Sequence, residues 1–326
     1  MLKEKLLKVF AENPNEFISG EKISQQLGCT RTAIWKHIDE LRKNGYEVES
    51  APRKGYRLVR KGDGIHSHEI KVGLQTKRIG HEISYYEETD STQIIAHQLA
   101  QNQANEGHIV IANEQTAGKG RLGRTWHSRQ GTSVSMSLIL RPELPPQKTP
   151  QLTLLTAVAV VRAIHANTGL DCQIKWPNDV LINGKKLVGI LTEMQADPDF
   201  VHSVIIGIGV NVNQSREDFD PDIRDIATSL LLEKNEPVDR AAVISAILNE
   251  FELLYDLYLE EGFSPIKTLW EAYSMSVGTN IYARTMKEVL YGYAVGITDD
   301  GVLLLRDESG ETHSIYSADI EIASQK

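Results

Sequence analysis

Apolar positions near the start of the chain keep helical spacing, and later ones switch to strand spacing. Leu2, Leu6, Leu7 and Phe10 share one face, which predicts a helix over 2–11. In "ISGEKISQQLG", Ser19 suits an N-cap, Ile23 and Leu27 lie one turn apart, and Gly28 suits a helix end. A short turn at Cys29 and Thr30 leads into "RTAIWKHIDELRKNG", where Ile34, Ile38 and Leu41 form a stripe and Gly45 stops it. Helix, short turn, helix is the spacing of a helix-turn-helix. "YEVESAPRKGYRLV" then alternates about an Arg-Lys-Gly turn, as a β-hairpin does. Helix-turn-helix plus basic hairpin predicts a winged helix. With the stripe buried, Arg31, Thr32, Trp35 and Lys36 lie wholly or partly off it, and Arg53 and Lys54 sit at the hairpin turn. The plain alternative is a small helical packing module.

The polar, Gly-bearing "KGDGIHSHE", 61–69, reads as a linker, which sets domains at 1–65, 66–274 and 275–326. In the middle part strands and helices mix. "HEISYYEET" is a strand running into the helix "DSTQIIAHQLA", with Ser91 or a neighbour as N-cap. "HIVIANEQ" is a strand, "TSVSMSLIL" alternates strongly, and "PQLTLLTAVAVVRAIHANTG" is a long buried helix. "DVLINGKKLVGILTEM" is a hairpin turning on Asn183-Gly184, the strongest two-residue turn signal in the chain. "VHSVIIGIGVNVN" is a buried strand, and 238–273 is helical. After "SVGTN" short strands separated by turns predict a small β-barrel. The fold class is therefore α+β: an N-terminal winged helix-turn-helix, a central mixed sheet with helices, and a C-terminal β-barrel.

Charge sharpens this division. The chain of 326 residues carries −9 overall, but residues 1–65 hold 13 basic and 9 acidic side chains, and the remainder holds 22 and 35. A basic head on an acidic body implies a polyanion partner for the head alone. Phosphate contacts would give it affinity for DNA, while Arg31 to Lys36 would reach base edges. No apolar run approaches the ~20 residues that span a bilayer, and no signal-peptide core is present. The two cysteines, Cys29 and Cys172, lack metal-ligand spacing, which argues against zinc and fits a reducing cytoplasm.

Candidate chemistry gathers at "AGKGRLGRTWHS", where 118–124 hold three glycines and three basic residues. Gly118 to Thr125 nearly spells a phosphate-binding P-loop, with Arg124 in place of lysine. A P-loop leaves a strand directly and opens a helix, so that the helix N-terminus faces phosphate. Here Asn113 to Ala117 intervene, and "TWHSRQGTSVSM", on the far side, has no helical stripe and runs into a strand. Two readings stay open for this segment alone: a solvated basic loop, or a loop that orders over an anion once Lys119, Arg121 and Arg124 cease to repel one another. "KWPNDVLINGKKLVGIL", 175–191, favours the second, because it sets Lys175, Asn178, Asp179, Lys185 and Lys186 among apolar residues. A lysine fixed on a hairpin pairs with carboxylate or phosphate without being a nucleophile.

"ETDST", "EQTAGKGRLGRTW", "KWPNDV", "KKLVGIL" and "GIGVNVN", in that order and spacing, resemble the biotin–protein ligases in their bifunctional bacterial form, which also represses the biotin operon. The resemblance spans the whole chain. It implies a class II synthetase-like catalytic domain, an SH3-like C-terminal barrel, and biotin and Mg-ATP as substrates. It implies no prosthetic group and no protein-bound metal beyond the magnesium of ATP. Biotin's carboxylate would attack the α-phosphorus of ATP, and biotinyl-5′-AMP would hand its acyl group to a lysine of a biotin carboxyl carrier protein. By motif, Ser91, Thr92, Gln93 and Gln115 would meet biotin, while Lys119, Gly120 and Arg121 close over it. Arg124, Trp126 and Asn211 would meet the adenylate, Lys186 would steady carboxylate and phosphate, and Asp179 would orient the incoming lysine. The adenylate would also be corepressor, pairing two chains into a homodimer on operator DNA. The alternatives are a biotin-sensing DNA-binding regulator that no longer ligates, and a ligase whose N-terminal domain only packs. Lys119 stands where many relatives carry arginine, and Leu122 where some carry another. The loop 212–226 has no periodicity; it would fold over adenine, with Phe219 as an apolar contact.

Overall fold

The stripe that predicts the first helices is a core. In the computed structural model, which describes residues 2–43, 45–60 and 64–323, α1 (Leu2–Glu12), α2 (Gly20–Leu27) and α3 (Arg31–Lys43) lead to a hairpin, β1 (Glu47–Ala51) and β2 (Gly55–Arg60). Leu6, Phe10, Ile23, Ile34, Ile38 and Leu41 are buried in one cluster, closed by Tyr46 and Val48. Ser19 Oγ accepts from Lys22 N at 3.1 Å and Thr30 Oγ1 accepts from Ala33 N at 3.2 Å, each capping the next helix along the chain. Ile18 adds a single bridge to this hairpin: it exchanges backbone hydrogen bonds of 2.8 and 2.9 Å with Tyr56. That approach explains Gly55, whose added Cβ would lie 2.0 Å from Ile18 O.

The linker expected at 61–69 is in part a helix, α4 (Ser67–Gly73); residues 61–63 lie outside the described residues. Ile70 is buried, and Glu69 accepts from the Tyr46 hydroxyl. The chain divides later than the sequence suggests, into Met1–Leu74 with Asp239–Ser245 and Gln75–Val238 with Ala246–Lys326. Helical polar residues with one buried isoleucine gave no periodic signal strong enough to mark α4.

The second unit runs β3 (Ile83–Thr89), α5 (Thr92–Gln101), β4 (Ile109–Gln115), β5 (Gly118–Lys119), β6 (Thr125–Trp126), β7 (Ser133–Leu140) and α6 (Thr149–Thr168). It continues with β8 (Gln173–Lys175), β9 (Asp179–Ile182), β10 (Lys185–Ala196), β11 (Val201–Asn211) and α7 (Leu230–Lys234). The predicted helix at 238–273 is two, α8 (Arg240–Glu261) and α9 (Ser264–Tyr273), parted at Gly262. A seven-stranded sheet has the order β3-β4-β7-β11-β10-β9-β8, antiparallel except for β3 with β4. Strands β9 and β10 turn on Asn183 and Gly184 with φ of 50° and 75°, the paired positive angles of a type I′ turn.

The two faces of this sheet carry different cargo. On one, α5 covers Val110, Ile139 and Ile205, and His97 reaches Glu193 at 3.0 Å. On the other lies α6, with Thr153 donating to Thr192 at 2.7 Å. Beyond α5 the first face changes character. Ser135 stands opposite Gly209 and Ser137 opposite Gly207, with Gly189 the next neighbour of Gly209. Apolar Val134, Met136, Ile208 and Val210 alternate with them on the opposite side. The remaining strands, β12 (Asn280–Arg284), β13 (Val289–Ile297), β14 (Leu303–Arg306), β15 (Thr312–Ile315) and β16 (Asp319–Ile322), form an antiparallel sheet of order β15-β14-β13-β12-β16.

Candidate active site

Where the serine and glycine rows end the apolar cover, a cavity of about 690 Å³ opens, within the ~300–1,000 Å³ of small-ligand pockets. The twelve residues to which the motifs give catalytic, biotin or adenylate roles all line it, whereas Lys185 does not. Its inner end is polar. Ser91 holds the N-cap position of α5, but its side chain caps nothing. Gln115, the last residue of β4, does that work: its Oε1 accepts from Thr92 N at 2.8 Å and from Thr92 Oγ1 at 3.1 Å. Ser137 Oγ lies 2.9 Å from Thr92 Oγ1 and donates to Gln93 Oε1 at 2.9 Å, and Gln93 Nε2 donates to Ile205 O at 3.2 Å. Gln115 and Gln93 are thus fixed by neighbours. Ser91 Oγ, Ser135 Oγ, Gln214 Oε1 and Trp126 Nε1 are buried with no hydrogen-bond partner, and all four residues line the cavity. Orphaned buried polar atoms are costly, so the pocket is built for a ligand that supplies their partners.

The middle is a bare floor under an aromatic lid. An added Cβ on Gly209 would fall 2.4 Å from Trp126 Cε2, and one on Gly189 would fall 3.1 Å from Trp126 Cζ3. Glycine at both positions lets the indole lie on the sheet. Lys186 Nζ sits 6.0 Å from the centre of that ring and 2.7 Å from Asp179 Oδ1. The pair lacks hydrogen-bond alignment, so the ammonium is held but not locked. Its backbone is anchored, with Lys186 N donating to Ile226 O at 2.8 Å and Thr228 N donating to Lys186 O at 2.9 Å.

The Gly/Arg segment is a ribbon of β5 and β6, and no helix comes directly after it. The P-loop reading fails on this geometry. The mutual repulsion expected of its basic residues is answered by partners: Arg121 donates to Asn178 Oδ1 at 2.9 Å and to Ser317 Oγ at 3.0 Å, and Arg124 is paired with Asp319. Burial pulls the Arg121 pKa below its usual value, against the attraction of Asp179 and Asp319. The hydrogen bond to Asp319 raises that of Arg124. Lys119 is exposed, and Gly120 is half-buried at the rim.

At the far end Asn211 is buried and accepts from Gln214 Nε2 at 3.1 Å. The aperiodic segment 212–226 is folded against the cavity, with Phe219 buried and Ile223 and Ile226 beside it. Arg129 and Asp218 at 2.7 Å and His127 and Asp220 at 2.9 Å tie this segment to the one after the Gly/Arg ribbon.

Sequence reasoning missed Ser135, Ser137, Gln214 and Asp319. The alternation of "SVSMS" held a signal for the serines: three hydroxyls on one face of a strand flanked by apolar runs mark a polar cavity wall. Asp319 offered none. In the other unit Arg31, Thr32, Trp35, Lys36, Arg53 and Lys54 are all exposed, Trp35 at 55%. Arg31 pairs with Glu21 at 2.8 Å.

That combination defines a class, proteins joining a helix-turn-helix head to a biotin/lipoate ligase core. The pattern described as "HTH domain" matches residues 3–57, that of the "Biotin/lipoate A/B protein ligase family" matches 85–211, and that of the "Biotin protein ligase C terminal domain" matches 278–322. The bifunctional ligase/repressor BirA of Bacillus subtilis is 57% identical over 321 residues, 98% of each chain. Its counterpart in Bacillus spizizenii is 56% identical over the same coverage. The biotin protein ligase from Aquifex aeolicus, solved in complex with biotin and ATP, superposes with a TM-score of 0.64 at 29% identity, covering 74% of this chain and 99% of its own. The chain belongs to the family of bifunctional ligase/repressors. Among the described residues, no helix is long and apolar enough to cross a membrane.

Proposed function

We propose that this chain activates biotin with Mg-ATP as biotinyl-5′-AMP and transfers the acyl group to a lysine of a biotin carboxyl carrier protein. With the adenylate as corepressor it represses biotin genes through the winged helix. The observation that carries the reading is the cavity itself: unpartnered polar atoms at its inner end, an anchored lysine in its middle, and paired arginines at its rim.

Ser91, with Thr92, Gln93 and Gln115 held in place around it, receives the polar ring of biotin. Lys119, Gly120 and Arg121 cover the acyl chain. A carboxylate oxygen bonds the α-phosphorus as the bond from that phosphorus to the α–β bridging oxygen breaks and diphosphate leaves with its electron pair, and Lys186 and Arg121 offset the charge that develops there. Trp126 and Asn211 hold the nucleotide, Arg124 meets phosphate, and Phe219 packs beside adenine. Asp179, already beside Lys186, orients the incoming amine. No residue of the chain is acylated, so catalysis consists of positioning and charge stabilisation. Magnesium travels with ATP and shields its phosphates.

Arg31, Thr32, Trp35 and Lys36 face the major groove, and Arg53 and Lys54 the flanking backbone. The repressing form is a homodimer, since two winged helices on a two-fold operator gain affinity by avidity. The protein works in the cytoplasm, where both partners reside. The test is a mass shift on carrier protein incubated with this chain, biotin and Mg-ATP. Lys186→Ala lowers the rate on the order of 10²- to 10³-fold with an unchanged circular dichroism spectrum; normal turnover would remove the assignment.

A further inference from the structure

A second cavity, of about 290 Å³, adjoins the first and shares Arg121, Arg124, Lys175, Asn178, Asp179 and Asp319 with it. Among the residues that line it alone are two charged ones, Arg284 and Glu321, both from the C-terminal sheet. Four cationic side chains, Arg121, Arg124, Lys175 and Arg284, therefore converge on this space. Lys175 makes no hydrogen bond or ion pair through its ammonium among the described residues. The other three are held by neutral groups or carboxylates. Arg124 is paired with Asp319, and Arg284 with Glu321 at 2.9 Å. Both carboxylates belong to β16, and its pairing with β12 sets Arg284 directly opposite Asp319.

We infer that this second cavity seats the diphosphate released on adenylation, and that Arg284 is one of its ligands. The inference rests on the adenylation reading above. In that step a carboxylate oxygen bonds the α-phosphorus, the bond from that phosphorus to the α–β bridging oxygen breaks, and its electron pair leaves on diphosphate. The leaving group carries several negative charges and needs cationic partners at once. Arg121 and Lys175, common to both cavities, meet it at the point of cleavage. Arg124 and Arg284 take it up by exchanging one anion for another. Asp319 and Glu321 stand in for phosphate while the site is empty, so neither guanidinium is left unpaired. The C-terminal sheet thereby contributes to the first half-reaction through Arg284.

The experiment uses the full chain and inorganic diphosphate with magnesium. Its inhibition constant is measured against Mg-ATP in biotinyl-5′-AMP formation, and transfer from preformed biotinyl-5′-AMP to carrier protein is measured separately. Arg284→Ala should raise the inhibition constant about tenfold, Arg284→Lys less, and neither should slow transfer. Asp319→Asn, by freeing Arg124, should lower it about two- to fivefold. Inhibition constants equal to wild type in both Arg284 variants, or an equal loss in the transfer step, would overturn the assignment. Arg284→Lys keeps the test alive if the alanine variant does not fold. A wild-type chain that makes no adenylate defeats the adenylation reading and this inference together; adenylate with unchanged inhibition defeats the inference alone.

Discussion

Replacing Gly209 by alanine puts a methyl group where a hydrogen stood, and the structure says where its carbon goes. It would lie 2.4, 2.6 and 2.7 Å from Cε2, Cζ2 and Nε1 of Trp126. Non-bonded carbons settle at about 3.5–4.0 Å, so the indole must retreat by about 1 Å. Gly209 sits in regular strand between Ser135 and Gly189, and its backbone accepts alanine without strain. The disturbance is therefore confined to the cavity. Trp126 is half-buried and can move outward, so the fold loses about 1 kcal/mol, the low end for overpacking. Chemistry suffers more, because a 1 Å misplacement near the reacting groups costs up to about 100-fold. At Gly189 the same carbon meets Trp126 at 3.1 Å and Lys186 Cε at 3.3 Å, contacts relieved by a few tenths of an ångström. The expected order in kcat/KM for biotin-dependent ATP–diphosphate exchange is wild type, Gly189→Ala, then Gly209→Ala, the last lower by about 10- to 100-fold. Thermal melts by circular dichroism supply the stability control. Wild-type kcat/KM in Gly209→Ala, or a larger loss in Gly189→Ala, would refute the account of the floor.

Gln115→Ala removes the acceptor of a buried backbone N–H and a buried hydroxyl. It should cost about 1–2 kcal/mol of stability and weaken biotin binding, both read from thermal melts with and without biotin; a variant equal to wild type in both would contradict the capping role. Lys54→Ala should weaken binding to duplex DNA and flatten the plot of log Kd against log salt by about one unit, measured by fluorescence anisotropy; an unchanged slope would place Lys54 away from phosphate. Burial pushes the Cys172 pKa up to about 12. Iodoacetamide should therefore label only the half-buried Cys29 in the native chain and reach Cys172 after unfolding in guanidinium, scored by mass; rapid native double labelling would contradict that burial.

The winged helix was legible because Ile34, Ile38 and Leu41 keep a helical repeat and Ser19 and Gly28 punctuate it. The Asn183-Gly184 turn was legible because few residue pairs accept two positive φ angles. The pocket residues were recognisable as motifs, but their arrangement was not. Gln115 rather than Ser91 caps α5, and that depends on where β4 ends relative to the helix. Asp319 reaches Arg124 across 195 residues of sequence, and no local pattern announces a contact set by the packing of the C-terminal sheet. Helix α4 escaped notice because one buried isoleucine among polar neighbours leaves no stripe.

Strands β7 and β11 are written twice over. Odd-numbered positions from 133 to 137 and from 207 to 211 carry serine, glycine and asparagine, and even-numbered ones carry the apolar core. Deleting or inserting a single residue in either strand would swap the two texts, dropping hydroxyls into the oily layer and isoleucine into the ligand's seat. Such a frameshift of the pleat forfeits binding and folding in one stroke. Within these two strands, changes in what this seat accepts therefore arise by exchange at odd positions, one residue for another, with strand length held constant.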